Sequence, residues 1–263
     1  MDLRLTGKRA FVSGSTQGIG FAVARALLDE GAAVVVNGRS ADRADAAVRR
    51  LRDEVPGADV SAVVADFADA AQVRHLLDDL GEVDVLVNNV GVFELAPFEQ
   101  ITDADWQRYF EVNVMSGVRL SRHLLGGMLA RGWGRVIFVS SESGVDVPAD
   151  MVHYGFTKAG VIALGNGLAK LTRGTDVTVN TILGGPTFSD GVAAAVAQAA
   201  DAQGTTPEEL KSALAAGHRT SLLQRFIEPR EIAHLAVYLA SPVSSATNGA
   251  ALRADGGVLT TLT

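Results

Sequence analysis

The pair Tyr154 and Lys158, in Tyr154-Gly155-Phe156-Thr157-Lys158, has the types and spacing for proton chemistry. Residues four apart share one face of a helix. A phenol titrates near ~10 and is a reluctant proton shuttle at neutral pH. A neighbouring ammonium favours the phenolate and lowers that value. Tyr154 therefore reads as a general acid/base and Lys158 as the group that tunes it. On its own such a pair is ordinary helix decoration. Its position matters, because it follows the strand-like run that ends Val139-Ser140-Ser141-Glu142-Ser143-Gly144.

A second cluster lies near the start. Gly14, Ser15, Thr16, Gly18, Ile19 and Gly20 follow an apolar run and open a helical pattern. The spacing is G-x-x-x-G-x-G. Glycines there permit a tight turn and close backbone approach to a pyrophosphate, and the helix start offers free N–H groups to an anion. Ser15 and Thr16 can add hydroxyl donors. After the next strand comes Asn37-Gly38-Arg39, with no acid to hold a ribose diol. Arg39 suits a 2′-phosphate, so NADP(H) is favoured over NAD(H). Asp66, after the third strand, is placed to accept from an adenine amino group, or to cap the next helix.

These residues need a scaffold that gathers loops at one edge. Strand-like runs occur at Ala10–Val12, Ala33–Val36, Asp59–Ala65, Val83–Val87, Arg135–Ser140, Val177–Leu183 and Gly249–Ala254. Helical patterns over 19–30, 41–54, 72–80, 103–130, 152–172 and 229–240 separate them, the fourth of these broken near Gly117 or Gly126. The alternation predicts an α/β fold: a Rossmann-like, doubly wound parallel sheet of about seven strands with helices on both faces. Ligands of such sheets sit beyond the carboxyl ends of the strands. No linker or repeat divides the chain, so residues 1–263 are expected to form a single NAD(P)-binding domain. Residues 184–220, rich in Ala and Gly, are expected to form a small helical substrate lid of one or two helices.

Composition narrows the function classes. A net charge of −7 argues against nucleic-acid or anionic-membrane surfaces. The absence of cysteine excludes disulfides, thiol catalysis and Cys-ligated zinc, and the five histidines are scattered, so no metal is expected. No secretory signal or apolar span is evident, and a cytoplasmic protein is expected. A hydrolase built on Ser141 lacks the G-x-S-x-G elbow.

Together, Gly14/Gly18/Gly20, Asp66, Asn88-Asn89-Val90-Gly91, Asn113, Ser141, Tyr154 with Lys158, and Leu183-Gly184-Gly185-Pro186-Thr187 resemble the short-chain dehydrogenase/reductase family in its compact form, from Lys8 to Gly257. The resemblance implies hydride transfer between a nicotinamide cofactor and a carbonyl or secondary alcohol. It gives Tyr154 the proton transfer and Ser141 the same substrate oxygen. Lys158 would also bond the nicotinamide ribose, and Asn113 would hold a water linking Lys158 to solvent. Phe67, Asn89 and Gly91 would line the adenosine side, and Gly185, Pro186 and Thr187 the carboxamide.

Gly184 stands where the family usually has Pro, and Val90 where it has Ala; the first change is expected to free the loop and the second to shift it slightly. Phe93, Val145, Val147, Met151, Phe188 and Val192 are candidate wall residues. The partner is expected to be a small carbonyl or alcohol, 3-oxoacyl thioesters included, and the assembly a homotetramer or homodimer through 103–130 and 152–172. Rival expectations are an NAD-dependent alcohol or diol dehydrogenase, and a cofactor-binding sensor without turnover.

Overall fold

The run Arg9–Val12 shows how the core is made. Ala10 and Val12 point to one face of the sheet and Phe11 to the other, and all three are inaccessible to solvent. Val34 and Val36 against Val35, and Val85 and Val87 against Leu86, repeat the division. Such strands are covered on both faces, which is the condition for a parallel sheet.

The computed structural model describes residues 2–262. Seven strands form one parallel sheet: β1 (Arg9–Val12), β2 (Ala33–Gly38), β3 (Val60–Val64), β4 (Val85–Asn88), β5 (Trp133–Ser141), β6 (Asp176–Gly184) and β7 (Ala251–Ala254). Their order is β3-β2-β1-β4-β5-β6-β7. The order reverses between β1 and β4, as in a doubly wound Rossmann-like sheet, and this is the expected fold. One face carries α1 (Gly18–Asp29), α2 (Ala41–Glu54) and, late in the chain, a helix over Pro229–Ala240. The other carries α3 (Ala70–Leu80) and two longer segments.

The first of those segments departs from expectation. It is α4 (Asp103–Tyr109), a π-helical stretch Phe110–Met115, and α5 (Ser116–Arg131). The break falls at neither Gly117 nor Gly126. Ser116 Oγ donates to Val112 O at 2.6 Å, and Asn113 is drawn out of the helix to bond residue 92. Gly117 is instead a contact glycine under Phe138. The second segment, α6 (Val152–Ala169), carries Tyr154 and Lys158 in its first two turns.

After β6 come α7 (Asp190–Gln203) and α8 (Pro207–Gly217), so the excursion contains two helices. Each begins with a hydroxyl cap, Ser189 and Thr206, and Thr206 with Glu209 forms a capping box. The helix over Pro229–Ala240 is then α9. Gly184 stands in regular strand. It closes β6, paired with Ser141 on one side and Ala254 on the other. Beyond it, Gly185 N donates to Ala254 O, and Ile227 N to Pro186 O. No helix is long and apolar enough to cross a membrane among the described residues.

Candidate active site

Beyond the carboxyl end of β1 the chain turns through Ser13–Gln17 into α1. Gly14 has φ +61°, and a β-carbon there would lie 2.9 Å from Val90 Cγ2. Val90 thus packs directly on the loop, and only glycine fits beneath it. Asn89 braces the same turn, its Nδ2 donating to Ser13 O and Gly14 O at 3.0 Å each. Ser15 is not the free donor expected. Its Oγ donates to Val12 O and accepts from Asn37 N, and its own N–H goes to Asn37 O. It fastens β1 to β2 and has nothing left for a ligand. Gln17, the N-cap of α1, makes no side-chain capping bond, so the helix start has no internal anion. One group from the start of α7 meets it: Asp190 Oδ2 accepts from Gly18 N at 2.6 Å.

A cleft of about 310 Å³ lies beside this turn. Gly14, Thr16, Gly38, Arg39, Asp66 and Gly91 are among its lining residues. Arg43 lies there too, in the first turn of α2 and four residues after Arg39, and sequence reasoning missed it. Neither arginine is in an ion pair among the described residues. Asn37 cannot replace an acidic selector, since its Oδ1 accepts from Gly14 N and its Nδ2 faces Ala65 O. Asp66 keeps its carboxylate at the cleft, with Oδ1 accepting from Ala68 N, while Asp69 takes the N-cap of α3. Phe67 is buried in the core, which leaves its main chain to face the cleft. The donor set suits an anionic dinucleotide: free helix N–H groups at one point, two guanidinium groups at another, and a carboxylate acceptor between.

The reactive side chains meet at the carboxyl end of β5. Ser141 is its last residue, and it faces the Tyr154 hydroxyl closely enough to lower its titration. Lys158 is buried, and its Nζ donates to Val139 O at 2.9 Å. The ammonium also stands 5.5 Å from the centroid of the Tyr154 ring. Gly91 lies beside Lys158 Nζ and Asn113 Oδ1. Asn113 Oδ1 accepts from Val92 N at 2.8 Å, and its Nδ2 donates to Val92 O and Thr157 Oγ1. Thr157 Oγ1 in turn donates to Tyr154 O. The π-helical turn thereby ties the loop after β4 to the helical turn that holds the Tyr and Lys. Sequence reasoning named Asn113 but not Thr157, whose role rests on contact across 44 positions.

The electrostatics differ from expectation in one respect. Burial pushes the Tyr154 hydroxyl above its usual range, the Ser141 bond pulls it back, and the Glu142 carboxylate raises it again. The Lys158 ammonium bonds Val139 O and not the phenol, so it acts on Tyr154 only from a distance. Burial brings Lys158 itself down to about 8, opposed by Glu142. Thr187 Oγ1 donates to Gly185 O, and Thr187 pairs with Ile227. Of the wall candidates, Phe93 meets the Tyr154 ring edge-on at 6.3 Å. Val145 and Val147 are exposed. Phe188 turns away to stack with Phe226 under Lys211.

The short chain dehydrogenase model matches residues 8–200. The chain belongs to the short-chain dehydrogenase/reductase family. This member is 43% identical to an uncharacterized oxidoreductase of Bacillus subtilis (strain 168), over all of both chains. It is 34% identical to the D-beta-hydroxybutyrate dehydrogenase of Cupriavidus necator, over 96% of this chain and 98% of that one. The L-sorbose reductase of Gluconobacter frateurii, solved with NADPH and L-sorbose, superposes with a TM-score of 0.93 at 32% identity, covering 100% of each chain. As a short-chain dehydrogenase/reductase, the protein is an oxidoreductase acting on carbonyl or alcohol groups.

Proposed function

We propose that this short-chain dehydrogenase/reductase is an NADP(H)-dependent reductase of a small carbonyl compound, run in reverse as a secondary-alcohol dehydrogenase. The observation that carries this reading is the convergence of Tyr154, Ser141 and buried Lys158 beside a cleft whose far end presents Arg39 and Arg43. The NADPH-bound L-sorbose reductase supports the cofactor by similarity.

Residues 2–262 share one sheet, in keeping with a single domain, and 184–220 serve as its lid. The N–H groups of Ile19 and Gly20, with Thr16, hold the pyrophosphate, and Gly18 N–H joins them when Asp190 gives it up. Arg39 and Arg43 grip the 2′-phosphate, Asp66 with the Phe67 main chain holds the adenine, and Asn89 and Gly91 wall the adenosine. Gly185, Pro186 and Thr187 orient the carboxamide. When bound, the nicotinamide supplies the hydride. As negative charge grows on the substrate oxygen, Tyr154 donates its proton there and Ser141 offers a second hydrogen bond. Lys158, close to neutrality at about 8, returns a proton toward Tyr154 and bonds the ribose. Asn113 keeps the turn bearing both residues in place and orders the water that leads to solvent.

The test compares NADPH with NADH for the wild type, for Arg39→Ala with Arg43→Ala, and for Tyr154→Phe. Loss of two charge-assisted contacts is expected to erase a preference for NADPH of about a hundredfold. Tyr154→Phe should lower kcat at least about a hundredfold with cofactor binding intact. Equal use of NADH by the wild type would overturn the cofactor assignment, and unchanged turnover in Tyr154→Phe would overturn the mechanism.

A further inference from the structure

Glu142 takes no part in the chemistry above, yet its carboxylate lies against the group that must hold the substrate oxygen. Ser141 Oγ donates its single hydrogen to Glu142 Oε2 at 2.5 Å. Ser143 N donates to the same Oγ at 3.1 Å, and Ser143 Oγ donates to Glu142 Oε1 at 3.2 Å. The Tyr154 hydroxyl completes the surroundings of Ser141. A hydroxyl has one proton to give, and an ionised carboxylate can only accept. With Glu142 in place, Ser141 therefore has no hydrogen for a substrate carbonyl.

Glu142 is only half-buried, and the charge it carries reaches both Tyr154 and Lys158. The bond can thus be exchanged at the mouth of the site. A substrate bearing a hydroxyl on the carbon next to its carbonyl can offer that hydroxyl to Glu142. Ser141 is then released, and its proton is free for the carbonyl oxygen. A substrate without such a donor leaves Ser141 engaged. One with a carboxylate in that place sets two like charges together.

We propose that Glu142 is the specificity-determining residue of this site, selecting α-hydroxy ketones, such as ketoses and their vicinal-diol products, over simple ketones and keto acids. The proposal rests on the carbonyl-reductase reading. It also disfavours 3-oxoacyl thioesters, whose ketone is flanked by carbon groups that donate no hydrogen bond.

The experiment uses three ethyl ketones that differ only in the second group on the carbonyl: methyl, hydroxymethyl or carboxylate. Their kcat/KM is measured with NADPH for wild type, Glu142→Ala and Glu142→Gln. Binding of each ketone to the NADPH-saturated protein is measured alongside by calorimetry. The wild type should favour hydroxymethyl over methyl by about tenfold to a hundredfold, the worth of one charge-assisted hydrogen bond. Glu142→Ala should bring that ratio within about threefold, and both variants should gain about tenfold on the carboxylate ketone. Ratios unmoved by Glu142→Ala, while turnover persists, would overturn the proposal and leave the reductase reading standing. Glu142-dependent binding of the hydroxymethyl ketone without turnover of any ketone would keep the proposal and sink the reductase reading. Neither turnover nor Glu142-dependent binding would sink both. Because Glu142→Gln is isosteric, it guards against a fold defect in the alanine variant.

Discussion

Lys158 pays for its position. Its ammonium is buried with one carbonyl partner, and burial lowers it from the usual 10.5 to about 8. Between those values the unfolded chain holds a proton that the folded chain has released, so stability rises with pH across that window. Below about 8 both states are protonated and the full penalty applies, on the order of 3 kcal/mol. Lys158→Met removes the penalty and leaves Val139 O unpaired, which returns part of the gain. The variant should be more stable by about 1–2 kcal/mol near neutral pH and lose its advantage as pH approaches about 10.5. Chemical denaturation at several pH values measures this. A variant less stable at neutral pH would mean that the Val139 bond outweighs the burial cost. Tyr154, Lys158 and the glycine loop could be singled out from types and spacing, whereas Ser141 needed the family resemblance. Ser15 was misread because a hydroxyl in a phosphate-type loop looks the same in sequence whether it faces a ligand or the neighbouring strand. Glu142 and Arg43 were visible as letters, but only folding shows that one meets Ser141 and the other the cleft.

The start of α7 meets the glycine loop through a charged contact, Asp190 Oδ2 on Gly18 N. A carboxylate at a helix start is favoured by the free N–H groups there. An incoming pyrophosphate seeks the same groups and is repelled by the same charge. Asp190→Ala should therefore tighten NADPH binding by about threefold to tenfold, read by cofactor fluorescence titration. It should also free the start of α7, seen as faster proteolysis between 188 and 205. Weaker NADPH binding would show that Asp190 supports the loop more than it competes. Sequence left this excursion at one or two helices, although Ser189, Thr206 and Pro207 stand at the starts of the two that form. The break within 103–130 did not follow, because its cause is a bond from Asn113 to a loop 21 residues away.

At the scale of the whole molecule, the strand pattern was legible nearly residue by residue. Apolar runs covered on both faces are what a parallel sheet demands, and connections of this length leave few topologies open. What lies outside the sheet was less legible. Phe110, Phe156 and Leu171 are exposed at 46%, 57% and 61%, and Trp106 packs edge-on against Phe156. Apolar side chains left in water on the π-helical stretch, on α6 and just beyond it are expected to be covered by a second copy of the chain. Light scattering should give a mass of two or four chains, and Phe156→Glu should shift it to a smaller assembly. A monomeric wild type would refute this.

The π-helical stretch Phe110–Met115 can also be viewed as a matter of length. Against an α-helix of the same rise it holds one residue too many. Removing any one of the six would let the segment relax into a regular helix of nearly the same rise and turn, so α4 and α5 could keep their seats on the sheet. What would go is the widened turn from which Asn113 reaches Val92 and Thr157. In this stretch the fold should therefore survive the loss of one residue, and the bridge to the turn bearing Tyr154 and Lys158 should not.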